Sequence, residues 1–312
     1  MRHRLPQRSN PRLKVVISLV SAVSITGLAA YGAWQKGSAE AGSPATNVPQ
    51  TVVVATPLPP LPGSAAIPSV PPGNDVLLAS FDELAQQVGA EIGLAYAPLD
   101  HPEQAISLGS WSHGPAWSTI KVPLALALLR DGGNVTSAVR SAITASDNSA
   151  AESIWEQLGG GAVAARKVQD VLAEAGDPLT EVPSERRRSG FSVFGQTDWS
   201  VADQARFLAR VACDPDAAPV TGLMGEIVPG QQWGLGAIDD AYFKGGWGPG
   251  TDGLYLVRQF GVVPTGKGRV AVAIAAVAAS GGFGDGAAVL DRLTGWLQDH
   301  LYEVGGGRCP SG

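Results

Sequence analysis

Ser118-Thr119-Ile120-Lys121 opens an apolar run from Val122 to Leu129. On a helix, residues three apart share a face about one turn apart, so this spacing lets the Lys121 amine approach the Ser118 hydroxyl. A serine hydroxyl attacks acyl groups poorly unless a neighbour accepts its proton. Lys121 can serve if burial or nearby positive charge keeps part of it neutral. Helix N-terminal amides around Ser118 would favour developing negative charge. In isolation the tetrapeptide says little, because a capping serine followed by a solvated lysine has the same letters.

Two further motifs follow in order. Ser146-Asp147-Asn148 precedes Ala150, Ala151, Ile154, Trp155 and Leu158, a helical spacing that puts the triplet near a helix start. Capping explains these residue types too. The functional alternative makes Ser146 a proton relay toward a leaving group, Asn148 a hydrogen-bonding partner for a substrate amide, and Asp147 a brace for the loop. Lys244 follows Tyr242-Phe243 and precedes Gly245-Gly246-Trp247-Gly248. That pattern suits a strand whose backbone lies close to a ligand, with a glycine-rich turn as the alternative. Lys244 would meet a substrate carboxylate and Gly246 would admit the ligand. The amide of Trp247 could join that of Ser118 in an oxyanion hole.

The elements that must position these residues read as mixed α and β. Leu77 to Val88 has helical spacing, and 91–97 and 105–108 look like short strands. Ser118 to Arg130 reads as a helix, and a helical middle runs to about residue 230. Gly253 to Val263 and Arg269 to Ala278 are apolar strand patterns around the turn 264–268, and Ala287 to Tyr302 closes the chain as an amphipathic helix. One sheet built from both chain ends, with a helical second lobe, is the implied arrangement.

At 312 residues, 45% apolar and 16% charged, the chain is globular in composition. The first fourteen residues hold five cations and no acid, so the net charge of −6 understates how acidic the rest is. That balance argues against a nucleic-acid partner. Residues 15–34 carry no charge and are long enough to cross a bilayer, with the basic arm 1–14 before them. This is either an export signal, cut near Ala39-Glu40-Ala41, or a retained membrane anchor. Residues 35–74 are proline-rich and read as an extended spacer, which leaves 75–312 as the catalytic domain. A cell-membrane location with an extracytoplasmic domain, or secretion, is expected.

Cys213 and Cys309 are the only cysteines. Export would permit a disulfide between them, tying the C-terminal tail to the body, and two inert thiols are the alternative. Neither a metal nor a cofactor is expected: the cysteines have no neighbouring histidines, and His3, His101, His113 and His300 are scattered. Residues 261–268 nearly spell a phosphate-binding loop. Gly268 cannot ligate magnesium, however, and a strand rather than a helix follows.

Taken together, Ser118-x-x-Lys121, Ser146-Asp147-Asn148 and Lys244-Gly245-Gly246 resemble the motifs of the class A β-lactamase-like, penicillin-binding serine hydrolases. The likeness is most specific over Ala142-Ile143-Thr144-Ala145-Ser146-Asp147-Asn148-Ser149-Ala150-Ala151 and spans most of residues 77 to 303. It implies a three-layer sandwich, an antiparallel sheet flanked by helices, plus an all-helical lobe with the site in the crevice between. Ser118 is then the acylated nucleophile, Lys121 its base, Ser146 the relay and Lys244 the third-motif lysine. A β-lactam or a peptidoglycan stem peptide ending in D-alanyl-D-alanine is the implied substrate. Three departures stand out. The 28 positions between Ser118 and Ser146 are fewer than the family's spacing, so the helical lobe is reduced and the cleft more open. The third motif lacks its hydroxyl, which implies that carboxylate recognition is either weakened or rerouted, with Arg258 on the following strand the candidate. The loop glutamate that directs water in lactamases is missing, with Glu181 and Glu185 the nearest acids, on a loop that reads as salt-bridged surface. A tethered, non-catalytic cell-wall binding module of the same fold is the competing reading.

Overall fold

Val270 to Ala276 alternates larger and smaller apolar side chains, and the two sets serve different cores. Val270, Val272, Ile274 and Ala276 join one cluster, while Ala271, Ala273 and Ala275 join the other. A strand buried on both faces gives this pattern, because successive side chains point to opposite sides of the sheet. The computed structural model describes residues 74–310. In chain order these form α1 (Asn74–Val88), β1 (Ala90–Pro98), β2 (Ile106–Gly109), β3 (His113–Pro115), α2 (Lys121–Arg130), α3 (Ser137–Thr144), α4 (Asn148–Gln157) and α5 (Gly161–Glu174). There follow β4 (Asp198–Ser200), α6 (Val201–Val211), α7 (Ala218–Leu223), β5 (Tyr242–Pro249), β6 (Tyr255–Thr265), β7 (Gly268–Ala278), α8 (Phe283–Asp299) and α9 (Leu301–Val304).

The main sheet has the order β2-β1-β7-β6-β5, with every neighbouring pair antiparallel. As expected, it draws strands from both chain ends. On one face α1 and α8 pack Leu77, Phe81, Leu290, Leu293 and Trp296 over the sheet, with Phe81 edge-on to Trp296. On the other face the small alanines of β7 admit α6, whose Phe207 and Leu208 are fully buried. Beyond α6 lies the helical lobe. Its central element is α2, buried from Lys121 to Leu128, as a helix apolar on all sides must be.

Several boundaries differ from the sequence reading by a few residues, and three of them have a clear physical cause. The helix expected from Ser118 begins as a tight turn over Trp117–Ile120 and becomes α-helical at Lys121, with Pro123 in the first turn, where its missing N–H is harmless. The last long helix starts four residues earlier than expected, across Gly284 and Gly286. Glycine disfavours helix, yet a Cβ on Gly286 would lie 2.6 Å from the Val257 side chain, so close packing on β6 selects it. The β6–β7 hairpin is also tighter than expected, with Thr265 paired to Gly268. Arg269 exchanges both backbone hydrogen bonds with Gly307, so the tail continues the line of β1 beside β7, and Pro264 opposite needs no donor. Two residues beyond Gly307, Cys309 is disulfide-bonded to Cys213, with Cα atoms 5.2 Å apart. The basic arm, the apolar stretch 15–34 and residues 35–73 of the spacer lie outside the described residues. Among the described residues, no helix is long and apolar enough to cross a membrane.

Candidate active site

Ser118 stands on the turn between β3 and α2, and the backbone there is strained. Trp117 has φ +50° and Ser146 has φ +58°, left-handed values that cost a non-glycine residue on the order of 1–3 kcal/mol and persist only where the surroundings enforce them. The enforcement is visible behind the turn. Thr119 donates its hydroxyl proton to Ala116 O at 2.6 Å and accepts from Gln204 Nε2 at 2.8 Å. Gln204 Oε1 in turn accepts from Arg258 Nη2 at 2.6 Å, and the same nitrogen donates to Trp199 O. Arg258 Nη1 donates to Gly114 O and Pro115 O at 2.9 and 3.1 Å, and the guanidinium lies over the Trp111 ring. Burial pulls Arg258 down to about 9, which still leaves it charged at neutral pH. The expectation that Arg258 receives a substrate carboxylate is therefore wrong. It is sealed inside, with its terminal nitrogens committed to the frame under Ser118.

From the front, β5 closes on the same turn. A Cβ built on Gly246 would lie 2.8 Å from Ser118 N, 2.9 Å from Ala116 O and 3.0 Å from Thr119 N. Backbone cannot give way as a flexible side chain can, so only glycine lets the strand approach the Ser118 turn this closely. The same approach sets Trp247, the next residue of β5, beside the Ser118 turn. Gly246→Ala should displace the turn and cut acylation by a β-lactam about 100-fold, the effect of roughly 1 Å of misplacement, read as the rate of covalent labelling.

The two lysines meet at Ser146. Lys121, 1% exposed, donates from Nζ to Ser146 O at 2.6 Å and to Asn148 Oδ1 at 2.7 Å, with Ser146 Oγ at 3.4 Å. Lys244, fully buried, donates to Ser146 Oγ at 2.8 Å and to its neighbour Gly245 O at 2.8 Å. The Ser118 hydroxyl makes none of these hydrogen bonds. Burial drives the Lys121 amine down to about 7, against the opposing pull of Asp147 and Glu152. Lys244 falls well below the usual lysine range, first through burial and then through the nearby Lys121 charge. Asp147 caps α4, accepting from Ala150 N at 2.9 Å, which is the capping alternative rather than the brace for the loop. Because Asn148 Oδ1 is taken by Lys121, its Nδ2 is the end left to donate to a ligand.

A cavity of about 410 Å³ opens over these groups, lined by Trp117, Ser118, Asn148, Glu152, Arg186 and Trp247 among others. That is a size suited to a small ligand. The loop between α5 and β4 forms one wall. Asp177 anchors its start, accepting from Trp199 Nε1 and Thr180 N, and Gln196 holds its end through Arg188 N. Arg188 then donates to Pro249 O at 2.7 Å and lies over the Phe191 ring, pinning the loop to β5.

Of the residues singled out from sequence, Ser118, Asn148 and Trp247 line this cavity, Lys121 and Lys244 meet at Ser146 by hydrogen bonds, and Gly246 packs on the Ser118 turn, while the lining itself does not include Lys121, Ser146, Lys244 or Gly246. Glu181 and Glu185, the acids considered from sequence, are exposed and do not line it. Among the described residues neither forms an ion pair, so the loop is not salt-bridged as expected. Missed from sequence were Trp117, Glu152 and Arg186. Glu152 had a signal, since it follows Asn148 by four and so faces the same way on α4. The hydroxyl absent from the third motif also has a steric counterpart. A Cβ on Gly245 would meet the Trp233 indole at 3.1 Å, where a larger side chain would press on the ring.

No protein-family model matches the chain, and no curated protein matches it. Solved structures do. The TLA-3 extended-spectrum β-lactamase superposes with a TM-score of 0.59 at 17% identity, covering 73% of this chain and 99% of that one. The TLA-1 extended-spectrum β-lactamase gives 0.60 at 16% identity with the same coverage. A class A β-lactamase from Mycobacterium abscessus gives 0.56 at 15%, covering 72% of this chain and 99% of that one. These superpositions show that the described residues have the β-lactamase fold.

Proposed function

We propose that this protein is an exported serine acyl hydrolase of the β-lactamase or penicillin-binding type, acylated at Ser118 by β-lactams or D-alanyl-D-alanine peptides. The observation that carries the reading is the hydrogen bonding of the buried Lys121 amine. A neutral amine has two N–H bonds and one lone pair, and both N–H bonds are directed at Ser146 O and Asn148 Oδ1. The lone pair is what remains for the Ser118 proton, and a value near 7 makes that form abundant at neutral pH.

In this reading Ser118 Oγ attacks the carbonyl carbon while its proton passes to Lys121 Nζ. The amides of Ser118 and Trp247 hold the oxyanion. The C–N bond then breaks, and the leaving nitrogen takes a proton through Ser146 Oγ, which Lys244 orients by its 2.8 Å hydrogen bond. Arg186, exposed on the cavity wall, supplies the cation for a substrate carboxylate in place of the buried Arg258. The disulfide supports an oxidising location outside the cytoplasm, and the uncharged stretch 15–34 supports delivery to the membrane.

A fluorescent penicillin tests this on the full chain. Covalent label that survives denaturation is expected on the wild type and is lost completely in Ser118→Ala. Label that persists in Ser118→Ala would refute Ser118 as the acylated residue, and none on a folded wild type would leave the non-catalytic binding module.

A further inference from the structure

Hydrolysis of an acyl-enzyme needs a base beside the ester, and the cavity offers one carboxylate. Of the residues lining it, only Glu152 is acidic. Glu152 lies one helical turn after Asn148 on α4, so both side chains leave the helix on the face turned to Ser118. Asn148 is tied to Lys121, which fixes the register of that face against the nucleophile. Glu156, one further turn along, is exposed and outside the lining.

We infer that Glu152, from the helix of the second motif, is the base that directs water at the acyl group on Ser118. The inference rests on the acyl-enzyme reading above. The water oxygen bonds to the acyl carbon as its proton passes to the Glu152 carboxylate. The bond from that carbon to Ser118 Oγ then breaks, Oγ takes up the proton, and the product leaves as a carboxylic acid.

The surroundings of Glu152 fit this use. Burial raises its carboxyl above the usual range, which makes it a better proton acceptor. Arg186 across the cavity and Lys121 beneath favour the ionised form, and Glu156 disfavours it. A base must be both basic and ionised; burial favours the first and the two cations the second. The geometry also differs from that of a loop base. Glu152 is carried by a capped helix whose Ile154 and Trp155 are buried, so its position does not depend on closure of a loop.

Mass measurement of the intact full chain after mixing with a penicillin, with ring opening followed by absorbance, separates the two steps. Glu152→Gln should lengthen the lifetime of the Ser118 adduct about 100-fold or more, the usual worth of a general base, while acylation changes far less. Glu152→Asp should recover part of the lost turnover. Equal adduct lifetimes in wild type and Glu152→Gln would overturn the assignment, with acylation of the variant proving that it is folded. No Ser118-dependent adduct and no ring opening in the wild type would instead overturn the acyl-enzyme reading, and this inference with it.

Discussion

Lys121→Met is expected to slow covalent labelling by a penicillin about 1000-fold, since it removes the base and leaves the serine to its own feeble nucleophilicity. The pH dependence carries the sign. Burial holds the Lys121 amine near 7, so it is protonated and useless as a base below that value and neutral above it. The wild-type labelling rate should therefore rise about tenfold per unit up to pH 7 and level off beyond. In Lys121→Met the rise should vanish. Lys121→Arg should not restore the rate, because a guanidinium stays charged where an amine would not. A wild-type rate flat between pH 5 and 8, or a Met variant labelling at the wild-type rate, would refute the role given to this side chain.

Arg258→Met should produce the largest loss of stability in the protein, about 3–5 kcal/mol as a shift in urea-unfolding free energy. Methionine fills most of the volume and donates nothing. The half-buried carbonyls of Gly114 and Pro115 and the buried oxygens of Trp199 and Gln204 would then lose their shared donor. Each acceptor buried without a donor costs about 1–3 kcal/mol, less what relaxation and entering water recover. The same change should slow labelling, since Gln204 and Thr119 pass the constraint on to the Ser118 turn. A stability loss below about 1 kcal/mol would show that this frame is not held as described.

Much of this was legible in the chain because the relevant signals are local. Alternation over 269–278, helical spacing after Ser146 and the glycines beside Lys244 each follow from a few neighbouring residues, and the structure carries all three. Arg258 was misread for the opposite reason. An arginine on a strand beside a ligand-facing lysine looks available, and only the arrival of Gln204, Trp199 and the 114–115 backbone from distant segments shows that it is enclosed. In sequence the acids that stand out are Glu181 and Glu185 on the loop after α5, not Glu152 on α4. Its four-residue offset from Asn148 was in plain view, but the offset means nothing until α4 is seen to face the cavity. The tight turn at Ser118 and the left-handed backbone at Trp117 leave no trace in composition, since they are imposed by β5 pressing on the turn.

The sheet that joins residues 90–98 to residues 268–278 has a consequence for how the chain comes to life. A nascent polypeptide that has made Ser118 and Lys121 still lacks Lys244, and its first strand has only β2 to pair with until the last third of the sequence emerges. Contacts so distant along the chain form slowly. Until they do, the Lys121 amine stays in water and protonated. If Ser118 is the acylated residue, its reactivity is thus withheld until β5 and β7 have been made and paired.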